Sequence, residues 1–510
     1  MIKTALISVS NKQGIADFAR NLDSLGIRII STGNTARMLK QSGVNVALVS
    51  DITKFAEMLD GRVKSVHPNI FAGILADRKN KNHEAELKKS GIGFIDLVVV
   101  NFYPFEENPD TENIDIGGPS LARAAAKNYK DVIVVVDPKD YGLVIEKLKN
   151  RSLSDGERLN FAAKAFSHTA RYDAIINNHF NALSKNKLPM ILNLTFRKLQ
   201  DLRYGENPYQ SASFYRDVFA GQSCVSTARQ LQGKELSFNN IIDVDAAFEL
   251  VKEFEKPTAV IVKHTNPSGV ASAPSIEDAY RKAHETDPKS AFGSIVALNR
   301  NCNLKTAKLI EPLFIEVVIC PKFDNDAINV LAEKKNLRLL EAGNAKPKSP
   351  PKKSESGQND FELKKVAGGI LLQEGSCPKI SEESMKVVSK RKPTKDEINA
   401  MRFAWKVNKH VKSNSIVLAK GDVTVGIGAG QMSRVDAVKL AVMKSGGKGN
   451  GSVMSSDAFF PFRDGVDEAA KAGVSAIIQP GGSIRDKEVI EAADEYGMAM
   501  VFTGIRLFRH

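Results

Sequence analysis

Along the first third of the chain, short apolar runs alternate with stretches whose apolar residues recur every three or four positions. Residues 4–9, 27–30, 97–100 and 132–136 are rich in Val, Ile and Leu, and the last two are apolar without interruption. Such runs suit strands covered on both faces of a parallel sheet. Residues 14–25 and 35–41 carry the helical rhythm instead. The order strand–helix–strand–helix predicts an open, doubly wound α/β domain. Beyond residue 193 the stretches lengthen, with strands expected at 258–262, 294–298, 415–419 and 476–478. This change sets a boundary near residue 195. Residues 259–263 and 415–420 are both apolar runs ending in Lys, a likeness that points to a duplicated subdomain. Between them, residues 344–360 hold Pro347, Pro350 and Pro351 among lysines and serines, with almost nothing to bury, and are expected to form a mobile loop.

No run approaches the roughly 18 apolar residues of a membrane span, so no membrane partner is expected. The apolar start is broken by Ser8, Ser10, Asn11 and Lys12 and reads as a first strand rather than a secretion signal. Cys224, Cys302, Cys320 and Cys377 lie far apart without a CxxC pair, which favours a reduced, cytoplasmic setting over a disulfide scaffold or a zinc site. At 510 residues, 42% of them hydrophobic, the chain suffices for roughly two to four domains. Lys and Arg outnumber Asp and Glu by 72 to 59, an excess that fits either nucleic acid or pockets for anionic metabolites. No RNP, zinc-finger or KH signature accompanies the basic cluster around Lys352, so nucleic acid is not expected as a partner.

Candidate chemistry gathers at the ends of the expected strands, where open α/β sheets bind ligands. Ser8–Lys12 and the segment Ser31, Thr32, Gly33, Asn34 each combine hydroxyls or a Gly with the start of a helix, a setting suited to phosphate although neither is a Walker or GxGxxG loop. Arg62 and Lys64 stand two apart, so in an extended chain they project to one side towards a common anion. Asp115, Ile116 and Gly117 precede a helix with Pro119 in its first turn and Lys127 near its end. Lys263 and His264 follow the apolar run 258–262 and place a proton acceptor beside a cation at a strand's exit, a pairing suited to acid–base catalysis. The turn is expected to run from Thr265 to Gly269. The glycines at 426–430 match a dinucleotide loop only partly, because Gln431 occupies the third Gly position, and NAD is not expected. Segments 203–208, 456–464 and 479–483 set polar groups beside aromatic surface, as a flat heterocycle requires.

These segments together resemble the bifunctional purine-biosynthesis family in which AICAR transformylase is fused to IMP cyclohydrolase. The resemblance runs from Ile2 to His510 and rests on SVSNK at Ser8, STGNT at Ser31, GRVKSVHP at Gly61, NFYPF at Asn101, IDIGG at Ile114 and RAAAKN ending at Asn128. It continues through LRYGENP at Leu202, KHTNPSG at Lys263, KSNSIVLAK at Lys412, IGAGQMSR at Ile427, FFPFRDG at Phe459 and QPGGSIRD at Gln479. It implies a methylglyoxal-synthase-like, doubly wound parallel-sheet cyclohydrolase domain over 1–195. For 196–510 it implies a transformylase of two cytidine-deaminase-like α/β subdomains. The implied reactions are formyl transfer from 10-formyltetrahydrofolate to AICAR and dehydrative closure of formyl-AICAR to IMP. A homodimer is implied, with transformylase sites shared between subunits. No zinc is expected, since the H-x-E and P-C-x-x-C motifs of zinc deaminases are absent, and the resemblance leaves room for a potassium ion.

For transfer, the resemblance makes His264 the proton acceptor, Lys263 the group at the formyl oxygen or leaving nitrogen, and Asn414 an orienting residue. Arg203, Tyr204, Gly293, Glu316, Phe459 and Arg506 match nucleotide-binding positions. Arg434, Val435, Phe460, Pro461, Asp464, Ser483 and Ile484 match the folate side. For closure, Lys127 matches the proton-transfer residue, with Tyr103 and Asp115 expected nearby. Ser10, Asn11, Lys12, Ser31, Thr32, Gly33, Asn34, Arg62, Val63, Lys64, Ser65, Asn101 and Ile116 match substrate-binding positions. Asn34 stands where the family has a second Gly, and Tyr209 where it has His. A ligand-sensing module without turnover is the alternative reading, separated from the enzymatic one by an IMP-forming assay.

Overall fold

Five parallel strands form the first sheet, in the order Val46–Leu48, Arg28–Ser31, Thr4–Val9, Leu97–Asn101, Ile133–Val135. The computed structural model describes residues 2–218, 220, 223–343, 361–375, 380 and 384–510. Residues 344–360 and Cys377, singled out above, lie outside the described residues. Contacts divide the chain into two units, one ending at Thr195 and the other beginning at Phe196. In the first, Thr4–Val9 lies at the centre with Leu97–Asn101 beside it, and all five residues of the latter are buried. The chain crosses to the other side of the sheet after the second and third strands, so the loops after Val9, Ser31 and Asn101 meet at one edge, the switch point of a doubly wound sheet. The helix Ile15–Ser24 buries Ile15, Phe18, Ala19 and Leu22, one stripe at helical spacing.

The second unit is built on one twelve-stranded sheet, and its chain order repeats. The first half runs Arg229–Gln232, the helix Phe238–Val251, the hairpin Thr258–Lys263/Asn266–Ser272, the helix Ile276–His284, then strands Ser294–Leu298, Ile315–Cys320 and Arg338–Glu341. The second half runs Lys386–Val387, the helix Lys395–Asn408, the hairpin Ile416–Lys420/Val423–Gly428, the helix Arg434–Lys444, then strands Val453–Ser456, Ala476–Gln479 and Ala499–Phe502. In both halves the hairpin's first strand pairs antiparallel with the third strand, two parallel steps follow, and the opening strand closes the edge antiparallel. The halves join where the two hairpins meet, Ala271 opposite Val423. The two Lys-ended runs are thus equivalent strands of a duplication.

Alternation along these strands separates the cores. Val260 and Val262 point into a core shared by both halves, which includes Trp405, while Ala259 and Ile261 point into a core of the first half alone. That is why the run 258–262 is apolar on both faces. Gly426 and Gly428 answer to packing of the same kind. A Cβ on Gly426 would meet the Ala441 carbonyl oxygen at 2.1 Å and one on Gly428 the Ala437 oxygen at 2.0 Å. They let strand and helix approach closely and form no phosphate loop. The structure also shortens the expected turn at Thr265–Gly269. Asn266 already pairs with Lys263, so the return strand begins there.

Candidate active sites

In the first unit the strand-end loops are tied together by Asn101. Its Oδ1 accepts from the backbone N–H of Ser10 (2.6 Å) and Asn11 (2.8 Å), and its Nδ2 donates to the Asn11 carbonyl (3.1 Å). Lys12 Nζ donates to Thr35 Oγ1 at 2.6 Å and to the Val9 carbonyl. Ser31 Oγ donates to the Ile7 carbonyl (2.7 Å), and Thr32 Oγ1 lies 3.2 Å from Ser8 Oγ. Among the described residues no side chain caps the helix that begins at Gly33, whose φ is 46°. Burial and the nearby Lys64 ammonium both push the Lys12 amine below its usual range. Two cations that disfavour each other beside uncapped helix N–H groups form a setting that an anion would relieve.

Lys64 Nζ donates to Tyr103 Oη at 3.3 Å. Burial pushes the Asp115 carboxyl up from its usual range, against the Gly118 N–H, the Lys64 charge and the Tyr103 N–H. Ser65 is buried with its Oγ against Gly117, where a Cβ would lie 2.7 Å from it. Lys64, Ser65, Tyr103 and Asp115 therefore converge, with Ile116 exposed alongside. Two expectations are corrected. Arg62 is not in an extended chain with Lys64: it has helical φ/ψ, so it turns aside to an ion pair with Glu112. Val63 remains exposed between them. Lys127 does not join Asp115 and Tyr103. The helix Gly117–Lys127 starts beside Asp115 and carries Lys127, exposed, to its far end, about 15 Å away at 1.5 Å per residue.

In the second unit, His264 and Thr265 form the two-residue turn of the hairpin, with φ of 51° and 64°. A turn with both central residues left-handed normally takes Asn-Gly, and each such non-Gly residue costs about 1–3 kcal/mol. The equivalent hairpin in the second half has Gly421 (φ 54°) where this one has His264. The strain is thus peculiar to the half that carries the Lys-His pair. Asp243, on the helix Phe238–Val251, accepts from the N–H of His264 at 3.2 Å and of Thr265 at 2.6 Å. Three residues earlier on that helix, Asn240 donates to Glu316 at 2.7 Å. Sequence reasoning missed both. Their signal is a pair of polar residues at i and i+3 beside the buried stripe of Ile241, Val244, Ala247 and Phe248.

Lys263 Nζ donates to the Phe292 carbonyl at 2.6 Å. Gly293, at φ 67°, lets Lys263 and the Phe314 ring close in, for its Cβ would lie 3.3 Å from that ring. Phe292 and Phe314 are exposed, with ring centroids 4.9 Å apart. They are a second feature missed in the sequence. Lys263, His264 and Asn266 face Gly426, Ile427 and Ala429 of the second half across a cleft of about 230 Å³. Asn266 bridges the halves: its Nδ2 donates to the His264 carbonyl (3.1 Å) and its Oδ1 accepts from the Lys412 N–H (3.0 Å). Asn414, two residues further, is held by Nδ2 donation to the Gln431 carbonyl at 2.9 Å and by Arg434 donating to its Oδ1 at 2.8 Å. Arg203 stacks on Tyr204 at 5.7 Å and Arg506 on Phe508 at 4.5 Å.

Two folate-side expectations are corrected here. Arg434 is buried, donating to Asn414, to the Ser415 carbonyl and to the fully buried carboxylate of Asp457. A buried guanidinium must be neutralised where it lies, and here the Asp457 carboxylate does so while Asn414 shares the same group. Phe460 is fully buried in the core of the second half, its ring against Gly465. Phe459, Asp464 and Ile484 are exposed, and Val435, Pro461 and Ser483 half-buried. The exposed ring next in line is Phe462, with Arg485 over its face at 4.6 Å.

A family model described as the AICARFT/IMPCHase bienzyme matches residues 125–444. An MGS-like domain model matches residues 14–129, within the five-stranded unit. The bifunctional purine biosynthesis protein PurH of Acetivibrio thermocellus is 50% identical over 521 residues, covering all of both chains. The chain belongs to this family. Proteins of the same description from Bacillus cytotoxicus and a Thermoanaerobacter species are each 51% identical over 520 residues, again along the whole of both chains. The crystal structure of ForH is 34% identical, covering 34% of this chain and 93% of that one, with a TM-score of 0.32. The five-stranded fold of the first unit is the MGS-like fold of the family.

Proposed function

We infer that this chain carries out the last two steps of IMP synthesis, formyl transfer from 10-formyltetrahydrofolate to AICAR and dehydrative ring closure of formyl-AICAR. The observation that carries the transfer reading is the strained His264–Thr265 turn, next to Lys263, at the mouth of a cleft that both halves line. In this reading the AICAR amine attacks the formyl carbon while His264 takes its proton, and the bond to N10 of the folate breaks with a proton delivered there from Lys263. The products are formyl-AICAR and tetrahydrofolate. Asn414 orients the carboxamide, supported by Arg434, and the Phe292–Phe314 pair offers a face to the imidazole. Glu316, Tyr204, Arg203 and Arg506 surround the nucleotide, and Phe459, Phe462, Asp464, Ser483 and Ile484 remain open to the folate.

We assign closure to residues 1–195 and transfer to residues 196–510. In closure the carboxamide nitrogen attacks the formyl carbon, its proton passes to Asp115, and water leaves from the same carbon. Tyr103 and Lys64 serve the departing oxygen, and the uncapped helix at Gly33 with Lys12 takes the phosphate. Lys64 replaces Lys127 as the favoured proton-transfer group, because it alone of the two stands with Asp115 and Tyr103. No step is assigned to a potassium ion.

Two further parts of the reading concern setting and assembly. Cys302 and Cys320 are free thiols, which supports a reduced, cytoplasmic setting, and no helix among the described residues is long and apolar enough to cross a membrane. The hairpins Phe196–Leu202/Ala212–Asp217 and Phe361–Val366/Gly369–Glu374 are separate two-stranded sheets that expose Phe196, Leu199, Leu363 and Leu371. Isolated hairpins are marginal in water, and these exposed apolar faces support a homodimer in which a second copy of the chain covers them. The deciding experiment supplies AICAR and 10-formyltetrahydrofolate to purified protein and follows IMP. IMP is expected, and its absence would overturn the reading.

A further inference from the structure

The hairpin turn at His264 is held by a side chain to which neither the sequence motifs nor the reaction assigns a role. Three facts meet there. The turn is left-handed at two residues with side chains, one of them β-branched, a conformation unfavourable for both. Its two N–H groups, which point the same way in that conformation, both end on one carboxylate, Asp243, at 3.2 and 2.6 Å. The corresponding turn of the sister hairpin begins with Gly421, which adopts a positive φ without such support. The His264 carbonyl is fixed by Asn266, whose other end holds the Lys412 N–H of the opposite half. A restraint of this kind is needed only if the residue at the turn must be His, held in one direction.

We propose that Asp243 is the positioning residue of formyl transfer: it locks the left-handed His264–Thr265 turn so that the imidazole is aimed into the cleft, with Asn266 keeping that turn in register with Asn414. This inference rests on the reading of His264 as the proton acceptor. A carboxylate offers an acceptor to each N–H, whereas an amide offers one acceptor and sets its NH₂ against the other N–H. Asp243→Asn therefore removes the lock with almost no change of volume. Misplacing a reacting group by about 1 Å costs on the order of 10²-fold in rate.

The test is a double-mutant cycle on the full chain. Asp243→Asn is expected to lower kcat for formyl transfer about 10- to 100-fold while KM for AICAR stays within about threefold. Closure of supplied formyl-AICAR, read on the same preparation, is expected to be unchanged. In the His264→Ala background the same substitution is expected to cost less than about twofold, because there is no imidazole left to aim. Asp243→Glu, which keeps both acceptors on a longer arm, is expected to recover part of the rate. If Asp243→Asn fails to fold, Asp243→Glu takes its place in the cycle with the same expected non-additivity. An equal loss with and without His264, or a wild-type transfer rate in the single variant, overturns the inference. If His264→Ala itself transfers at the normal rate, the proton-acceptor reading fails first, a result distinct from failure of Asp243 alone.

Discussion

At the residue scale, the proposed closure site turns on a lysine whose two neighbours respond to it in opposite chemical senses. Lys64 holds Asp115 lower than burial alone would leave it and pushes the Lys12 amine down. If ionised Asp115 takes the proton, closure declines on the acid side at a pH above the usual carboxylate range. Lys64→Ala is expected to reduce closure about 10- to 100-fold and to move that acid limb to higher pH, since one influence that favours the anion is gone. Rates of closure across pH 4 to 8, at about half-unit steps, read both effects. Lys127→Ala is expected to cost less than Lys64→Ala, and the reverse order would show that Lys127 reaches the reacting atoms by a route other than its own helix. On the transfer side, His264→Ala is expected to lose about 10²-fold or more, the scale of an absent general base, and to leave closure intact.

At the scale of elements, the second half depends on close approach and on one acidic anchor. Gly428 lies against the Ala437 carbonyl with no room for a methyl group, and both partners are backbone. Gly428→Ala is expected to destabilise the second unit by about 1–3 kcal/mol, read as the denaturant midpoint. Glu397, in the first turn of the helix Lys395–Asn408, accepts two hydrogen bonds from Arg391 at 2.8 and 3.0 Å and one from Ser475 at 2.7 Å. Burial opposes its charge, but Arg391, Ser475 and the Thr394 N–H outweigh that and hold the carboxyl at about 2. With the folded value depressed, its contribution is full above the ordinary carboxylate range and is lost as pH falls through that range towards about 2. Glu397→Gln is expected to melt lower than wild type at pH 7, with the two melting temperatures converging as pH falls to about 3. A difference constant in pH would show that the contact contributes shape and not charge.

For the whole molecule, the proposed dimer ties assembly to one activity more than the other. If transfer sites draw on both subunits, dilution below the dimer dissociation constant is expected to remove transfer steeply while closure persists, because closure needs one substrate and one unit. Both rates measured against protein concentration, with mass from light scattering, test this. A monomer with full specific transfer activity would end the shared-site reading.

The sequence by itself determined the elements whose burial is one-sided or complete. Residues 97–100 and 258–262 announce central strands because every position must be apolar when both faces are covered, and the Lys-ended runs disclose the duplication because equivalent strands meet equivalent surroundings. It also put the residues of the proposed chemistry, Lys263, His264, Tyr103 and Asp115, in contiguous motifs. Only the tertiary structure decided what those residues touch. Arg434 and Phe460 read as ligand contacts until burial placed one against Asp457 and the other in a core, and only the helix backbone beside Gly426 and Gly428 gives the reason for glycine at those two positions. Lys127 stood twelve positions from Asp115, a spacing that says nothing of direction until the intervening residues coil into a helix leading away. Asp243 and Asn240 were invisible for the converse reason: their partners lie 21 and 76 residues distant, and a hydrogen bond across that interval exists only once the sheet has brought its ends together.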